Sequence, residues 1–134
     1  MESFLFFKLR RKKTMEIKTI TIPELSKKAF KVLTSNRNMK RVAEYQLSVL
    51  KISESIEEKG ALEQAEAQIK TVDAMLSFIR AILDLDDENY DKLMDLDYNE
   101  TQKISEKLVG YMYGLSDEDL EEAASAGASD PKKA

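Results

Sequence analysis

The densest set of candidate metal ligands is Asp84-Leu85-Asp86-Asp87-Glu88-Asn89-Tyr90-Asp91-Lys92-Leu93-Met94-Asp95. Aligned to a calcium-binding helix–loop–helix, Asp84, Asp86 and Glu88 take the first, third and fifth ligand places. The match fails where that geometry is strictest. The turn glycine is Asn89, the ninth place is Lys92, and the bidentate glutamate is Asp95. Negative charge at a helix start favours the exposed N–H groups there, so these acids read as caps for a following helix. The chain has no cysteine and no histidine. That removes thiol nucleophiles, Cys/His zinc sites and the usual general base of hydrolases. A carboxylate-only enzyme would need a deep pocket lined by paired acids. No residue is assigned to catalysis, a cofactor or a metal.

A second cluster is basic: Lys27, Lys28, Lys31, Arg37, Lys40 and Arg41 gather near one predicted break between helices. A helix-turn-helix surface would use such groups on phosphates. The charge balance opposes this. The chain has net charge −4, and residues 1–14 carry five basic groups against Glu2, so the rest holds −8. The simpler reading is a solvated face. Tyr111-Met112-Tyr113 is a third cluster; aromatics and methionine suit partner surfaces, and equally suit a core.

The elements that position these residues are helical. Leu62, Ala65, Ile69, Val72, Leu76, Ile79 and Leu83 recur at alternating spacings of three and four. That is one face of a helix about six turns long. From Met75 a second stripe joins it (Met75, Phe78, Ile82, Leu85), so the C-terminal half of this helix must be surrounded by protein. We expect a helix over 61–85, buried at the centre of one all-α domain. A coiled-coil dimer along the seam is the competing arrangement. The second stripe favours packing within one chain, with homo-oligomerisation through leftover apolar surface as an addition.

Upstream, Glu16 to Ile22 is rich in β-branched residues and reads as a short N-terminal extended segment. Pro23 and Glu24 then suit the opening of a helix, with Leu25, Ala29, Val32 and Leu33 facing inward and Phe30 flanking. A long helix over about 38–59 carries Val42, Tyr45, Val49, Ile52 and Ile56, and Gly60 suits a left-handed cap at its end. The short link makes the two long helices an antiparallel hairpin. Downstream, a short helix over about 87–95 would bury Tyr90, Leu93 and Met94. Another, starting at Asn99 or Thr101, carries Ile104, Leu108 and Met112. Gly110 is a weak point inside it, and Gly114 with Leu115 resembles a C-terminal cap. Ser116 and Asp119 suit a capping box for a last short helix. The whole reads as a compact bundle of about five to six helices: a single helical domain over 15–115, then a short helix and disordered tail over 116–134.

Residues 1–14 begin with apolar Phe4 to Phe7 and then turn basic, which is the wrong order for a secretory signal. A membrane-surface anchor is one reading of that palette. The preferred one is genetic. Arg10-Arg11-Lys12-Lys13-Thr14-Met15 back-translates to a ribosome-binding site spaced before a start codon, which makes Met15 the true start and residues 1–14 a mis-annotated leader. CGN codons at Arg10 and Arg11 would refute this. No apolar run approaches the ~20 residues of a membrane span.

The run Asp73-Ala74-Met75-Leu76-Ser77-Phe78-Ile79-Arg80-Ala81-Ile82-Leu83, the acidic break, the Tyr90/Leu93/Met94 segment and the helix with Ile104, Leu108 and Val109 together resemble the tail assembly chaperones of long-tailed bacteriophages, particularly those of Gram-positive hosts. The likeness spans roughly residues 60–115. It departs at Asp86-Asp87, where family members often carry a phenylalanine. The resemblance implies a non-catalytic protein of the host cytoplasm that binds the helical tape-measure protein and leaves before the virion is complete. It also implies a frameshifted extension that recruits tail tube protein; Pro131-Lys132-Lys133 is compatible with a slippery codon run. The candidates for exposed partner contacts are Phe30, Tyr45, Tyr111, Met112 and Tyr113, with no nucleic acid, membrane or cofactor expected. The alternative is a small helical transcriptional regulator or anti-repressor that binds DNA or a protein partner. Salt-dependent DNA binding would favour it, and co-purification with a tape-measure fragment would favour the chaperone.

Overall fold

In a computed structural model of the chain, residues 17–56 and 60–122 are described. The expectations for the leader, for Met15 as the start, for Lys59 and for the tail beyond Glu122 lie outside them. The described residues form strand β1 (Ile17–Ile20), strand β2 (Phe30–Leu33), and helices α1 (Asn36–Ser55), α2 (Ala61–Leu83), α3 (Asp87–Met94) and α4 (Tyr98–Met112). A helical turn over 117–122 follows. The fold is mostly helical, as expected, with one small sheet.

That sheet corrects the reading of 23–34 as a helix. β1 and β2 pair antiparallel, with Ile17 opposite Leu33 and Ile20 opposite Phe30. The physical reason lies in two places. Pro23, with its fixed φ, suits the second position of a turn as well as a first helical position. Here it sits in the turn closed by Leu25 N–H donating to Ile22 O at 2.9 Å. Then Phe30-Lys31-Val32-Leu33 alternates, with Phe30 and Val32 turned inward and Lys31 and Leu33 outward. Its pairing satisfies the ladder that β1 would otherwise leave open.

The helix boundaries follow their caps. Ser35 accepts from Asn38 N–H at 3.2 Å and starts α1. Asp86 accepts from Asn89 N–H at 2.9 Å and starts α3, so the acidic break is a cap as the charge argument required. Asp97, rather than Asn99 or Thr101, caps α4. Gly60 is not a left-handed cap; its φ is −76° and it precedes α2. The left-handed position belongs to Asp84, at the end of α2, with φ 52°. A short polar side chain tolerates that conformation better than most. Gly114, at φ 83°, ends α4, with Leu115 N–H donating to Gly110 O at 2.9 Å.

The core joins the sheet, the C-terminal half of α2, and α3 and α4. Val32, Val42, Ile79, Leu93 and Leu108 are its most deeply buried side chains. Tyr45 stacks on Phe78 with ring centroids 4.4 Å apart and nearly parallel planes, tying α1 to α2. The expectation of a buried helix throughout 61–85 holds only from Val72 onward. Among residues 61–71 the buried one is Ala67, and none of 43–56 is buried.

Gly110 has a packing reason for its place inside α4. A Cβ there would overlap Leu120 Cδ2 and stand 3.3 Å from Leu120 Cδ1 and Cγ. Gly110→Ala is therefore expected to gain up to ~1 kcal/mol of helix propensity and to expel Leu120. Melting temperature should change little, while proteolysis within 117–122 should accelerate.

Candidate interaction surface

The outer half of the helical hairpin carries four strongly exposed apolar side chains. Leu47 and Leu50 on α1 are 51% and 60% exposed; Leu62 and Ile69 on α2 are 69% and 62% exposed. Leu62, Ala65 and Ile69 continue the row that becomes buried at Leu76, Ile79 and Leu83. One helix face thus runs from open surface into the core. Between the helices, Ile52, Ile56 and Ala67 line a shallow groove together with Lys51, Glu63 and Lys70. The arm is about 15 Å long at 1.5 Å per residue. Isolated exposed leucines are ordinary, but a row of apolar side chains along one helix is a candidate interaction surface.

The sequence named these residues as core. The signal against that was present: before Met75 only one narrow stripe exists, flanked by Glu63, Gln64, Glu66, Gln68 and Lys70. A single stripe can be left for another molecule, whereas two stripes must be enclosed.

The five aromatic and methionine candidates fall in different places. Tyr111 and Met112 are buried in the core, and Phe30 and Tyr45 are half-buried against it. Tyr113 stands on the surface, its hydroxyl donating to Gln46 Oε1 at 2.9 Å. It joins α4 to α1 where the arm leaves the body. The structure therefore does not bring the five into one patch.

Tyr111 has a structural partner instead. Its hydroxyl donates to Asp117 Oδ1, and the ammonium groups of Lys18 and Lys107 lie 5.0 and 5.8 Å from its ring centroid. Burial, then the Asp117 carboxylate, push the phenol well above its ordinary value of 10.0. The donated hydrogen bond, with Lys107 and Lys18 nearby, holds the Asp117 carboxyl below its usual range. Asp119 is lowered by the Ser116 N–H and hydroxyl, in the capping box that the sequence suggested. Depressed carboxyls stabilise the fold above their unfolded pKa, and that stability is lost as pH falls through the folded values. The raised phenol acts in the opposite sense, stabilising below pH 10 and losing that contribution as pH rises further. Acidification below about pH 4 should detach the 117–122 turn first. Amide exchange at Leu120 checks this, and Asp117→Asn should flatten the response.

Among the described residues no group of three or more Asp, Glu, His or Cys side chains is placed to hold a metal ion. No helix there is long and apolar enough to cross a membrane. Lys27, Lys28, Lys31, Arg37 and Lys40 are exposed, and Arg41 is half-buried. No curated protein and no solved structure gave a significant match. Residues 15–127 match the family of phage tail assembly chaperone proteins, and this span holds the sheet, the hairpin and every helix described above. A helical body with an uncovered hairpin, matched over most of its length in this way, belongs to the phage tail assembly chaperone family.

Proposed function

We propose that the protein is a non-catalytic chaperone that holds the tape-measure protein through its hairpin arm and helps recruit tail tube subunits. The observation that carries this reading is the apolar row Leu62, Ala65 and Ile69, open to solvent and continuous with the buried seam of the same helix. A long helical tape measure exposes amphipathic faces before it is enclosed by tube protein. A helical hairpin offers a matching face, with side chains spaced three and four apart on both partners. Tyr113 lies at the inner end of the arm, where its hydroxyl donates to Gln46 Oε1. The complex forms in the host cytoplasm and is dismantled before the virion is complete.

Co-expression of the affinity-tagged chain with the tape-measure protein tests this reading. The expected result is a soluble complex that survives purification and fails to form when the tape measure's helical region is deleted. Tape measure that stays insoluble, or elutes apart from the chain, would refute it.

A further inference from the structure

At the opposite end of the hairpin from the arm, the start of α1 and the end of α2 border a cleft of about 1030 Å³. Three guanidinium groups line it: Arg37, Arg41 and Arg80. Arg41 is the central one. Its Nη1 donates to Asn38 Oδ1 at 2.9 Å and to the carbonyl of Ala81 at 3.1 Å. Asn38 is itself buried and fixed, its Nδ2 donating to Leu33 O at 2.9 Å. One nitrogen of Arg41 is therefore fully used in holding the group still. The remaining donors of a half-buried cation have no carboxylate partner among the described residues. A guanidinium presents a planar fork of donors, and one already immobilised binds a carboxylate without further ordering.

The surroundings strengthen the positive field. α1 has no acidic residue in its first turn, so the partial positive charge of its start is not offset there. Arg37 lies one turn before Arg41 on the same helix face and makes no ion pair among the described residues. Arg80 is held across the cleft, over the Tyr90 ring at 4.5 Å and paired with Asp87 at 2.5 Å. Asp84 is the one acid in the lining, and Leu33, Leu85 and Tyr90 add apolar wall.

We propose that this cleft binds an acidic segment of a partner protein, with a carboxylate on Arg41 and Arg37 and a neighbouring apolar side chain against Leu33. The volume exceeds an inorganic anion many times over. The apolar wall gives a peptide a contact that free phosphate lacks. Asp84 in the lining and Asp87 on Arg80 repel a polyphosphate backbone more than a short segment with one or two carboxylates. This inference is independent of the hairpin-arm reading, because the two surfaces lie at opposite ends of the hairpin.

The test is a titration of the folded chain with the blocked peptide Ala-Leu-Asp-Leu-Glu, followed by NMR of the arginine Nε–H and Asn38 side-chain amide signals. Binding should move the Arg41 and Asn38 signals. Arg37→Gln should weaken it about 3-fold, and Arg41→Gln about 10-fold or more, as expected for exposed and half-buried charge-assisted bonds. Arg41→Gln also severs the tie to Ala81. Arg37→Gln removes an exposed side chain with no ion pair among the described residues and so keeps the fold. Leu62→Glu, on the arm, should leave the titration unchanged. The proposal fails if the peptide moves neither signal, if Arg37→Gln and Arg41→Gln both bind as the unaltered chain does, or if inorganic phosphate or single-stranded DNA binds more tightly than the peptide.

Discussion

Replacing Ile79 by alanine is expected to cost about 4 kcal/mol of folding stability, near the upper end of the range for buried isoleucine. Ile79 is fully buried, in the stretch of α2 where both apolar stripes are enclosed. It packs within the cluster that joins Val32 of the sheet, Leu93 of α3 and Leu108 of α4. Truncation removes buried hydrocarbon and leaves a cavity that three fixed elements cannot close. Because single domains are stable by only about 5–15 kcal/mol, this one change would expose much of the population to unfolding. Urea denaturation checks it: the midpoint should fall and the slope should stay the same. Leu62→Ala, on the same helix and the same stripe, should change stability by no more than about 0.5 kcal/mol. Equal costs at the two positions would show that the division of α2 into a buried half and an open half is wrong.

The second large effect concerns binding. Leu62→Glu combined with Ile69→Glu places two charges on the open row without disturbing the core, since both residues are more than 60% exposed. Melting should be nearly unchanged, while affinity for the tape-measure protein should fall by about 30-fold or more, the scale of losing a central interface residue. Sedimentation of the free protein separates the competing occupant. If a second copy covers the row, the unaltered chain sediments as a dimer and the double variant as a monomer. If both sediment as monomers and only tape-measure binding is lost, the row is kept for the partner. A double variant that still holds the tape measure at full strength would remove the arm from the proposal.

Much of this architecture was legible because helical spacing is a strong signal over long stretches. Val42 to Ile56 and Leu62 to Leu83 could form nothing else, and the Asp86, Ser116 and Gly114 caps followed from residue type. Residues 23–34 were misread because Leu25, Ala29, Val32 and Leu33 satisfy a helical pattern over a stretch too short to test it. The decisive clue was elsewhere. β1 needed a partner for its backbone, and Phe30 to Leu33 was the nearest β-competent run. For the surface, spacing identified the row on α2 but not what covers it, since an apolar residue looks the same whether its neighbour is its own chain or another. Tyr111 shows the converse: an aromatic in a tyrosine-rich run, suited by type to an interface, is enclosed by the chain and tied down by Asp117.

The hairpin's uneven enclosure has a mechanical consequence. With Ala67 the lone buried side chain over the outer turns of α2, little hydrophobic free energy clamps the two rods together there. The arm can bend or fray as a unit at small cost while the base stays fixed by Ile79 and its neighbours. On the proposed reading, a compliant arm on a fixed body lets one surface conform to unlike stretches of a long target and let go without melting the core.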